Sequence, residues 1–162
     1  MDIYVKIKYL NMEYRMYCLS ERHLSGIQKT IQAAHAIVEY SLAYGDSPKY
    51  KQWAGEDKTI IVLDGGIYTD MLRVVDFLNE KHMNFATFKE PDMGYMMTSI
   101  ALLVDERVWD ASKYGRSYAH YQLMCQEDCE LPKLYYNEWV DWIGGKSNEL
   151  LKTLLFSLKL TI

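Results

Sequence analysis

Apolar and polar residues alternate along this chain in two rhythms, one typical of strands and one typical of helices. Alternating or continuously apolar stretches of strand length predict β-strands, and they cover residues 3–8, 14–19, 59–63, 85–88, 99–104 and 157–161. Apolar residues spaced by three or four positions predict helices, and they cover about residues 27–44, 69–78, 118–124, 138–143 and 149–155. Strands that alternate with helices predict an α/β fold in which helices are layered on a mixed β-sheet.

The helix predicted after the first strands has the clearest signals in the chain. Ser25, followed three residues later by Gln28, forms the capping-box pattern of a helix start, and Gly45 suits a left-handed residue at its end. Its apolar residues recur on one face, which is the expected core face: Ile27, Ile31, Ala34, Val38 and Leu42. In the following helix Thr69 or Asp70 is the expected cap, and the expected inward residues are Leu72, Val75 and Leu78.

Residues 107–146 differ from the rest of the chain in composition. They hold three of the four tryptophans, two of the three cysteines and a dense set of tyrosines. We interpret them as a mainly helical, aromatic-rich insertion. Its aromatic side chains suit a lid over a cleft, a dimer surface, a partner-binding patch, or a small core of their own.

Composition and charge narrow the function classes. The chain has 162 residues, of which 49% are apolar and 25% charged, the balance of one ordinary globular domain. No apolar run approaches about 18 residues, so no membrane span is expected. Three cysteines favour a reducing, cytoplasmic location over a disulfide scaffold. The net charge of −4 weighs against a non-specific nucleic-acid binder.

A site is expected beyond the carboxyl ends of the parallel strands, where ligands gather in α/β folds. Those ends lead into Ser20–Ser25, which contains His23, and into Lys89–Gly94, which contains the acidic pair Glu90 and Asp92. Two carboxylates beside a proline can orient a water, orient a lysine or bind ribose hydroxyls, and they are also common in turns. Cys125, Cys129 and His120 lack the fourth ligand of a closed zinc site, so no metal is expected.

The segment Ile31-Gln32-Ala33-Ala34-His35-Ala36 resembles the Gln-x-x-His-Ala signature of the type II peptidyl-tRNA hydrolases. Features similar to the family's follow in the same order: a connection with Trp53, a strand at 60–62, a strand at 84–88, an acidic residue at Glu90 and a terminal strand at 158–160. The resemblance covers about residues 12–106 and 147–162. It implies a single domain over residues 1–162, with the insertion at about 107–146.

The resemblance implies a small three-layer domain with a mixed sheet of about four strands and helices on both faces. It also implies hydrolysis of the ester between a peptide and the 3′ end of tRNA, without a cofactor. The residues expected to act in catalysis are Lys29, His35, Glu90, Asp92 and Thr98. The residues expected to bind ligand are His23, Gln28, Gln32, Gly94 and Ser99. Among them, His23 is chosen for its place in the loop after the first strand.

This sequence departs from the family's pattern at several of these positions. Gln28 stands where the family has a lysine, and Lys29 is one residue later, a rotation of about 100° on a helix. Glu90-Pro91-Asp92 replaces the family's Asp-Ala-Gly, and Gly94 stands where the family has a threonine. Either Thr98 or Ser99 matches its second threonine. The Glu-Pro-Asp loop resembles a divergent branch of the superfamily, which leaves open whether the chain is an enzyme.

Each residue also has a plainer interpretation. His35 borders the apolar helix face and is equally well explained as a buried histidine. Lys29 fits a solvated first helical turn, Gln28 fits the capping box, and Thr98 fits a strand start.

Three hypotheses follow for the function. The first is hydrolysis of the peptide–tRNA ester. The second is a non-catalytic module that holds or sequesters a nucleotide or another small anionic ligand. The third is a protein-interaction domain, a homodimer included, that uses the aromatic insertion. Binding of tRNA would need a basic rim around the cleft, for which the available cations are Arg15, Arg22, Lys29, Lys49, Lys51, Lys58 and Lys89.

Overall fold

Four strands form one mixed sheet in the order β2-β1-β4-β3. The computed structural model describes residues 12–110 and 131–158, with the backbone alone for 131–135. β1 (Tyr14–Ser20) and β2 (Thr59–Asp64) are parallel, whereas β3 (Ala86–Glu90) and β4 (Met96–Asp105) are antiparallel. The predicted α/β fold with a mixed sheet is confirmed. The strand expected at 3–8, the helix expected at 118–124 and residues 159–161 of the expected last strand lie outside the described residues.

The two central strands of the sheet, β1 and β4, are buried on both faces. Met16 and Cys18 of β1 belong to the core cluster that contains Ala33 and Ala36 of the first helix. Tyr17 and Leu19, which point to the opposite face because strand side chains alternate, are also buried.

Helix α1 (Gly26–Tyr44) begins with the predicted capping box. The Gln28 backbone N–H donates to Ser25 Oγ at 3.3 Å, and the Ser25 N–H donates to Gln28 Oε1 at 2.9 Å. The end of the helix differs from the prediction, because Gly45 is right-handed, with φ of −60° and ψ of −22°. The φ of this residue does not require glycine, but a Cβ at position 45 would clash with the Ser41 carbonyl oxygen.

The predicted core face of α1 is wrong. Its members are exposed, at 77% for Ile27, 48% for Ile31, 56% for Val38 and 78% for Leu42. The buried residues of the helix lie on the opposite side and are Gln32, Ala33, Ala36 and Tyr40. Small side chains allow the helix backbone to lie close to the sheet, and Cys18 Sγ is 3.9 Å from the Ala33 carbonyl oxygen.

The connection to β2 consists of α2 (Pro48–Gln52) and a π-helical turn (Trp53–Asp57). The buried indole of Trp53 donates from Nε1 to the Thr59 carbonyl at 2.9 Å. The Asp57 carboxylate accepts from the Tyr14 N–H at 2.8 Å and so joins this turn to the start of β1.

Helix α3 (Tyr68–Glu80) buries Met71, Val74 and Leu78. The prediction for Leu78 is confirmed, but Leu72 is exposed, so the inward face is rotated by one residue from the expected one. The expected cap is also displaced. Asp70 lies inside the first turn, and its carboxylate accepts from the Ile67 N–H at 3.2 Å, at the residue that precedes the helix.

The described residues between Asp105 and Ser157 form a compact unit separate from the described residues up to Val104. It contains α4 (Leu131–Ile143) and α5 (Lys146–Ser157), both longer than predicted, and Ser157 is helical rather than the start of a strand. The Asp105 carboxylate accepts from Arg107 Nε at 3.0 Å and from Asn148 Nδ2 at 2.8 Å.

Two tryptophans of the expected insertion can be placed in this unit. Trp139 is buried, while Trp142 is partly exposed. The buried indole supports the interpretation of the aromatic residues as a small core, and the expected single-domain organisation stays a prediction. Among the described residues, no helix is long and apolar enough to cross a membrane.

Candidate functional site

Three loops meet at one edge of the sheet. They follow β1, β2 and β3 and comprise residues 21–25, 65–67 and 91–95. The Gly65 N–H donates to the Ser20 carbonyl at 2.8 Å, the Arg22 N–H donates to the Gly66 carbonyl at 2.9 Å, and the Glu21 N–H donates to the Thr98 carbonyl at 3.0 Å. Backbone hydrogen bonds therefore hold the first two loops together and tie the first to the start of β4.

An open groove of about 500 Å³ lies among these loops and the first turn of α1. Its polar lining consists of Glu21, His23, Gln28 and Thr69, and its apolar lining consists of Leu24, Ile67, Tyr68, Met93 and Met96. The volume falls within the range of sites for small organic ligands, which combine apolar walls with a few polar groups. His23 and Gln28, both expected to bind ligand, line the groove.

A chain of hydrogen bonds joins three residues that the resemblance selects. The Thr98 hydroxyl donates to Gln32 Oε1 at 2.7 Å, and Gln32 Nε2 donates to Glu90 Oε2 at 2.6 Å. Thr98 is fully buried and Gln32 is 7% exposed, whereas Glu90 is half-buried. Glu90 is thus the member of the chain that a ligand or water can reach, and the other two hold it in place.

The loop after β3 is arranged around the same carboxylate. Glu90 caps the 3₁₀ turn Pro91–Met93 by accepting from the Asp92 N–H at 3.5 Å. Gly94 closes the turn with φ of +65°, the left-handed region that favours glycine. Asp92 and Gly94 are exposed. This backbone conformation accounts for a glycine at position 94.

Glu21 is a buried carboxylate in the groove that the sequence analysis missed. It is 3% exposed and accepts from the His23 backbone N–H at 2.7 Å. The His23 ring Nδ1 lies 2.8 Å from the other Glu21 oxygen, while the His23 side chain itself is 75% exposed. Glu21 lies directly after β1, in the loop expected to border the site, and this position is the sequence feature that could have identified it.

A second carboxylate, Asp64, lies at the end of β2. Partial burial opposes its ionisation, but the Gly66 N–H, the Arg22 guanidinium and the charge of Lys29 together lower the pKa of the Asp64 carboxyl. The Gly66 N–H donates at 2.8 Å and Arg22 Nε at 3.1 Å. The charge of Lys29, expected to stabilise a reaction centre, therefore acts on Asp64.

Two further expected site residues have other surroundings. Ser99 is buried, and its hydroxyl lies 3.4 Å from that of Ser20, which also donates to the Lys29 carbonyl at 3.2 Å. His35 is exposed and stacks on Phe88, with ring centroids 4.5 Å apart. Neither lines the groove. The alternative of a buried His35 is also wrong.

The residues that the structure describes offer neither a metal site nor a reactive thiol. Within them, no group of three or more His, Cys, Asp or Glu side chains could hold a metal ion. Cys125, Cys129 and His120 lie outside them. Burial raises the pKa of the Cys18 thiol to about 12, so this cysteine stays protonated and unreactive at neutral pH.

No protein-family model matches this chain. A search of curated proteins finds no significant sequence match either. The geometry of the groove and of the hydrogen-bonded chain beside it therefore carries the argument about function.

Proposed function

We propose that this chain is a binding module that holds a nucleotide-like small molecule in the groove at the strand ends. The observation that carries the proposal is the lining of the groove, in which apolar walls face a small set of hydrogen-bonding groups. Such a combination binds planar heteroaromatic rings, because the walls contact the ring faces and the polar groups read the ring edge.

The residues suit this division of roles. Tyr68, Met93 and Met96 supply an aromatic and two polarisable surfaces for a base. Gln28 and Thr69 supply an amide and a hydroxyl, and the Glu21 carboxylate, held by His23, accepts donors such as an exocyclic amine or ribose hydroxyls. Arg22, which stands between two lining residues in the chain, is paired with Asp64 and would have to exchange that partner to contact a phosphate.

The surroundings of the expected catalytic groups support binding over catalysis. Oε2 of Glu90 is occupied by Gln32, and Thr98 is fully buried. The charge of Lys29 acts on Asp64. A hydrolase would need a donor poised to stabilise the oxyanion as well as a positioned base, whereas Thr98 and Gln32 form hydrogen bonds that place Glu90.

Titration calorimetry with adenosine and AMP tests the binding proposal. We expect Tyr68→Ala to weaken binding about tenfold, since base stacking on an aromatic ring contributes about 1–3 kcal/mol. Tyr95→Ala is the matched control, because Tyr95 is also exposed but does not line the groove. Absence of binding of adenosine, AMP and GMP to the folded protein would overturn the proposal.

Hydrolysis of the peptide–tRNA ester is the second candidate, and it is favoured by the half-buried Glu90 carboxylate, which water can reach. Glu90 would take a proton from a water that attacks the ester carbonyl carbon. The bond from the carbonyl carbon to the ribose oxygen then breaks, and Glu90 gives the proton to that oxygen, which releases the peptide acid and the tRNA 3′-hydroxyl. Three cations expected in a basic rim are already in ion pairs, Arg15 with Glu13, Arg22 with Asp64 and Lys51 with Asp46.

Release of peptide from peptidyl-tRNA by purified protein tests this second candidate. If the chain is a hydrolase, Glu90→Gln abolishes turnover, while Glu80→Gln, at an exposed residue of α3, leaves it unchanged. Turnover that survives Glu90→Gln, or no turnover at high protein concentration, would rule out this mechanism.

A further inference from the structure

Among the described residues that line the groove, Glu21 is the one carboxylate, and none is a lysine or an arginine. Glu21 is 3% exposed, and the groups that its side chain contacts in the described part of the chain are the backbone and the ring of His23. A buried carboxylate without a lysine or arginine partner retains much of the free-energy cost of leaving water. A ligand that donates hydrogen bonds to this carboxylate lowers that cost, so the groove favours ligands with N–H or O–H groups.

The position of the Glu21 carboxylate is fixed by the fold itself. The Glu21 N–H donates to the Thr98 carbonyl at 3.0 Å, which ties its backbone to the start of β4. Glu21 Oε2 accepts from the His23 N–H at 2.7 Å, and Oε1 lies 2.8 Å from the His23 ring Nδ1. An ionised carboxylate accepts about four hydrogen bonds in all, so each oxygen retains a lone pair for a ligand. An acceptor pair that is already held in place loses little freedom when a ligand binds.

Gln28 offers the groove a donor. In the capping box its Oε1 accepts from the Ser25 N–H at 2.9 Å, so Nε2 is the part of the amide that can serve a ligand. The Thr69 hydroxyl can either donate or accept. The polar lining therefore combines two fixed acceptor oxygens on Glu21 with a donor on Gln28.

The two common purine bases differ in the edge that they present to such a lining. Guanine carries two neighbouring donors, N1–H and the 2-amino group, beside the acceptor O6. Adenine carries one donor, the 6-amino group, beside the acceptor N1. A carboxylate can take both guanine donors, one on each oxygen. With adenine, one carboxylate oxygen faces the N1 lone pair, and this repulsion acts against the wrong base.

We propose that the groove selects guanine over adenine and that Glu21 reads the base by accepting hydrogen bonds from N1–H and the 2-amino group. Gln28 Nε2 donates to O6 on the same edge of the base. Glu21 is thus a specificity-determining residue, because it distinguishes two ring systems of the same size. This inference rests on the proposed function, since it names the base that the nucleotide-binding groove takes.

The charges around the groove decide which ligands test the proposal best. The Glu21 carboxylate is negative, and the neighbouring Arg22 is paired with Asp64 at 3.1 Å. Uncharged nucleosides avoid both the repulsion and the competition with that ion pair. Guanosine, inosine and adenosine share the same sugar, so differences between their affinities report on the base alone.

Titration calorimetry of the wild-type chain with these three nucleosides tests the selection. Inosine keeps N1–H and O6 but lacks the 2-amino group, and we expect it to bind about tenfold more weakly than guanosine, the effect of losing one hydrogen bond to a charged group. Adenosine lacks both donors that Glu21 accepts from, and it should bind about a hundredfold more weakly than guanosine.

Glu21→Gln tests the residue that reads the base. The amide replaces one acceptor by a donor, so guanosine should lose most of its advantage and bind within about threefold of adenosine. Glu39→Gln makes the same chemical change at an exposed residue of α1 outside the groove, and it should retain the full preference. Thermal melting establishes whether each variant is folded, and the nucleoside series on the wild-type chain tests the selection independently of both variants.

The outcomes separate this inference from the proposed function. Equal binding of guanosine and adenosine to the wild-type chain would overturn the inference and leave the proposed function standing. A folded chain that binds none of the three nucleosides, nor AMP or GMP, would overturn the proposed function and this inference with it. A preference for guanosine that Glu21→Gln leaves undiminished would assign the selection to another residue and so overturn the role of Glu21.

Discussion

The Thr98 hydroxyl on β4 donates a hydrogen bond of 2.7 Å to Oε1 of Gln32 on α1, across 66 positions of the chain. Gln32 has a planar amide with an acceptor and a donor, and its donor group is directed to Glu90 at 2.6 Å. One amide on α1 thus joins β4 to the last residue of β3, and its orientation is set from both ends. Neither bond is local in sequence, so their formation depends on the complete fold.

A double-mutant cycle measures the coupling in this chain. We expect Thr98→Val and Gln32→Leu each to lower the free energy of unfolding by about 1–3 kcal/mol, because each leaves a buried polar partner unsatisfied. The double variant should be less destabilised than the sum by about 1 kcal/mol. Urea unfolding gives the energies, and Thr87→Val on β3 is the control for removing a strand hydroxyl. Strict additivity would show that the two residues do not interact.

The lowered pKa of Asp64 predicts a dependence of stability on pH. Because its pKa is lower in the folded chain than the unfolded value of 3.8, Asp64 stabilises the fold above that pH. The contribution is lost as the pH falls through the folded pKa. We expect Asp64→Asn to cost about 1 kcal/mol at neutral pH and progressively less below about pH 4.

Denaturant unfolding between pH 2 and pH 8 checks this prediction. Asp46→Asn is the control, since the side chain of Asp46 is fully exposed and its ion pair with Lys51 is expected to contribute little. An energy difference between wild type and Asp64→Asn that stays constant with pH would contradict the assignment.

The buried thiol of Cys18 predicts slow chemical modification. Burial raises its pKa from 9.0 to about 12, so at pH 9 the folded chain holds the proton that the unfolded chain has half lost. We expect alkylation of Cys18 in the folded protein to be at least a hundredfold slower than in the unfolded protein. Peptide mass mapping after a timed pulse of iodoacetamide separates Cys18 from Cys125 and Cys129.

The raised pKa of the Cys18 thiol also predicts how the stability of the fold changes at alkaline pH. Since the folded state binds the proton more tightly, the stability linked to Cys18 is complete below about pH 9 and is lost as the pH rises towards 12. Cys18→Ala should therefore flatten the loss of stability above pH 9. Rapid alkylation of native Cys18 would refute both statements.

The left-handed conformation of Gly94 predicts a cost for a side chain at this position. A Cβ added there meets no atom within 4 Å, so the effect of Gly94→Ala comes from the backbone φ of +65° alone. We expect a loss of about 1 kcal/mol in the free energy of unfolding. Ligand binding in the adjoining groove should weaken as well, because Met93 precedes the glycine and lines the groove.

Gly55→Ala is the matched control for this prediction. Gly55 is also free of atoms within 4 Å of an added Cβ, but its φ is not in the left-handed region. Alanine there should leave stability unchanged or slightly raised. Equal effects of the two substitutions would show that the turn at Gly94 tolerates a side chain.

Local chemistry in the sequence was sufficient for the elements themselves. The capping box of Ser25 and Gln28, the strands around Val62 and Ile100 and the loop that begins at Glu90 depend on neighbouring residues, and each is present where it was predicted. The edge at which the loops meet also followed from the order of strands and helices, because the carboxyl ends of similarly directed strands lie at one edge.

Only the tertiary structure decided which faces pack and which side chains meet. Periodicity shows that Ile27, Ile31 and Val38 share a face of α1, but the sheet selects the face with Ala33 and Ala36, where small side chains permit a close approach. Gln32, Thr98 and Glu90 depend in the same way on partners far away in the chain. The sequence by itself determined the local elements and their caps, whereas burial and long-range hydrogen bonds depend on neighbours that exist only once the sheet is assembled.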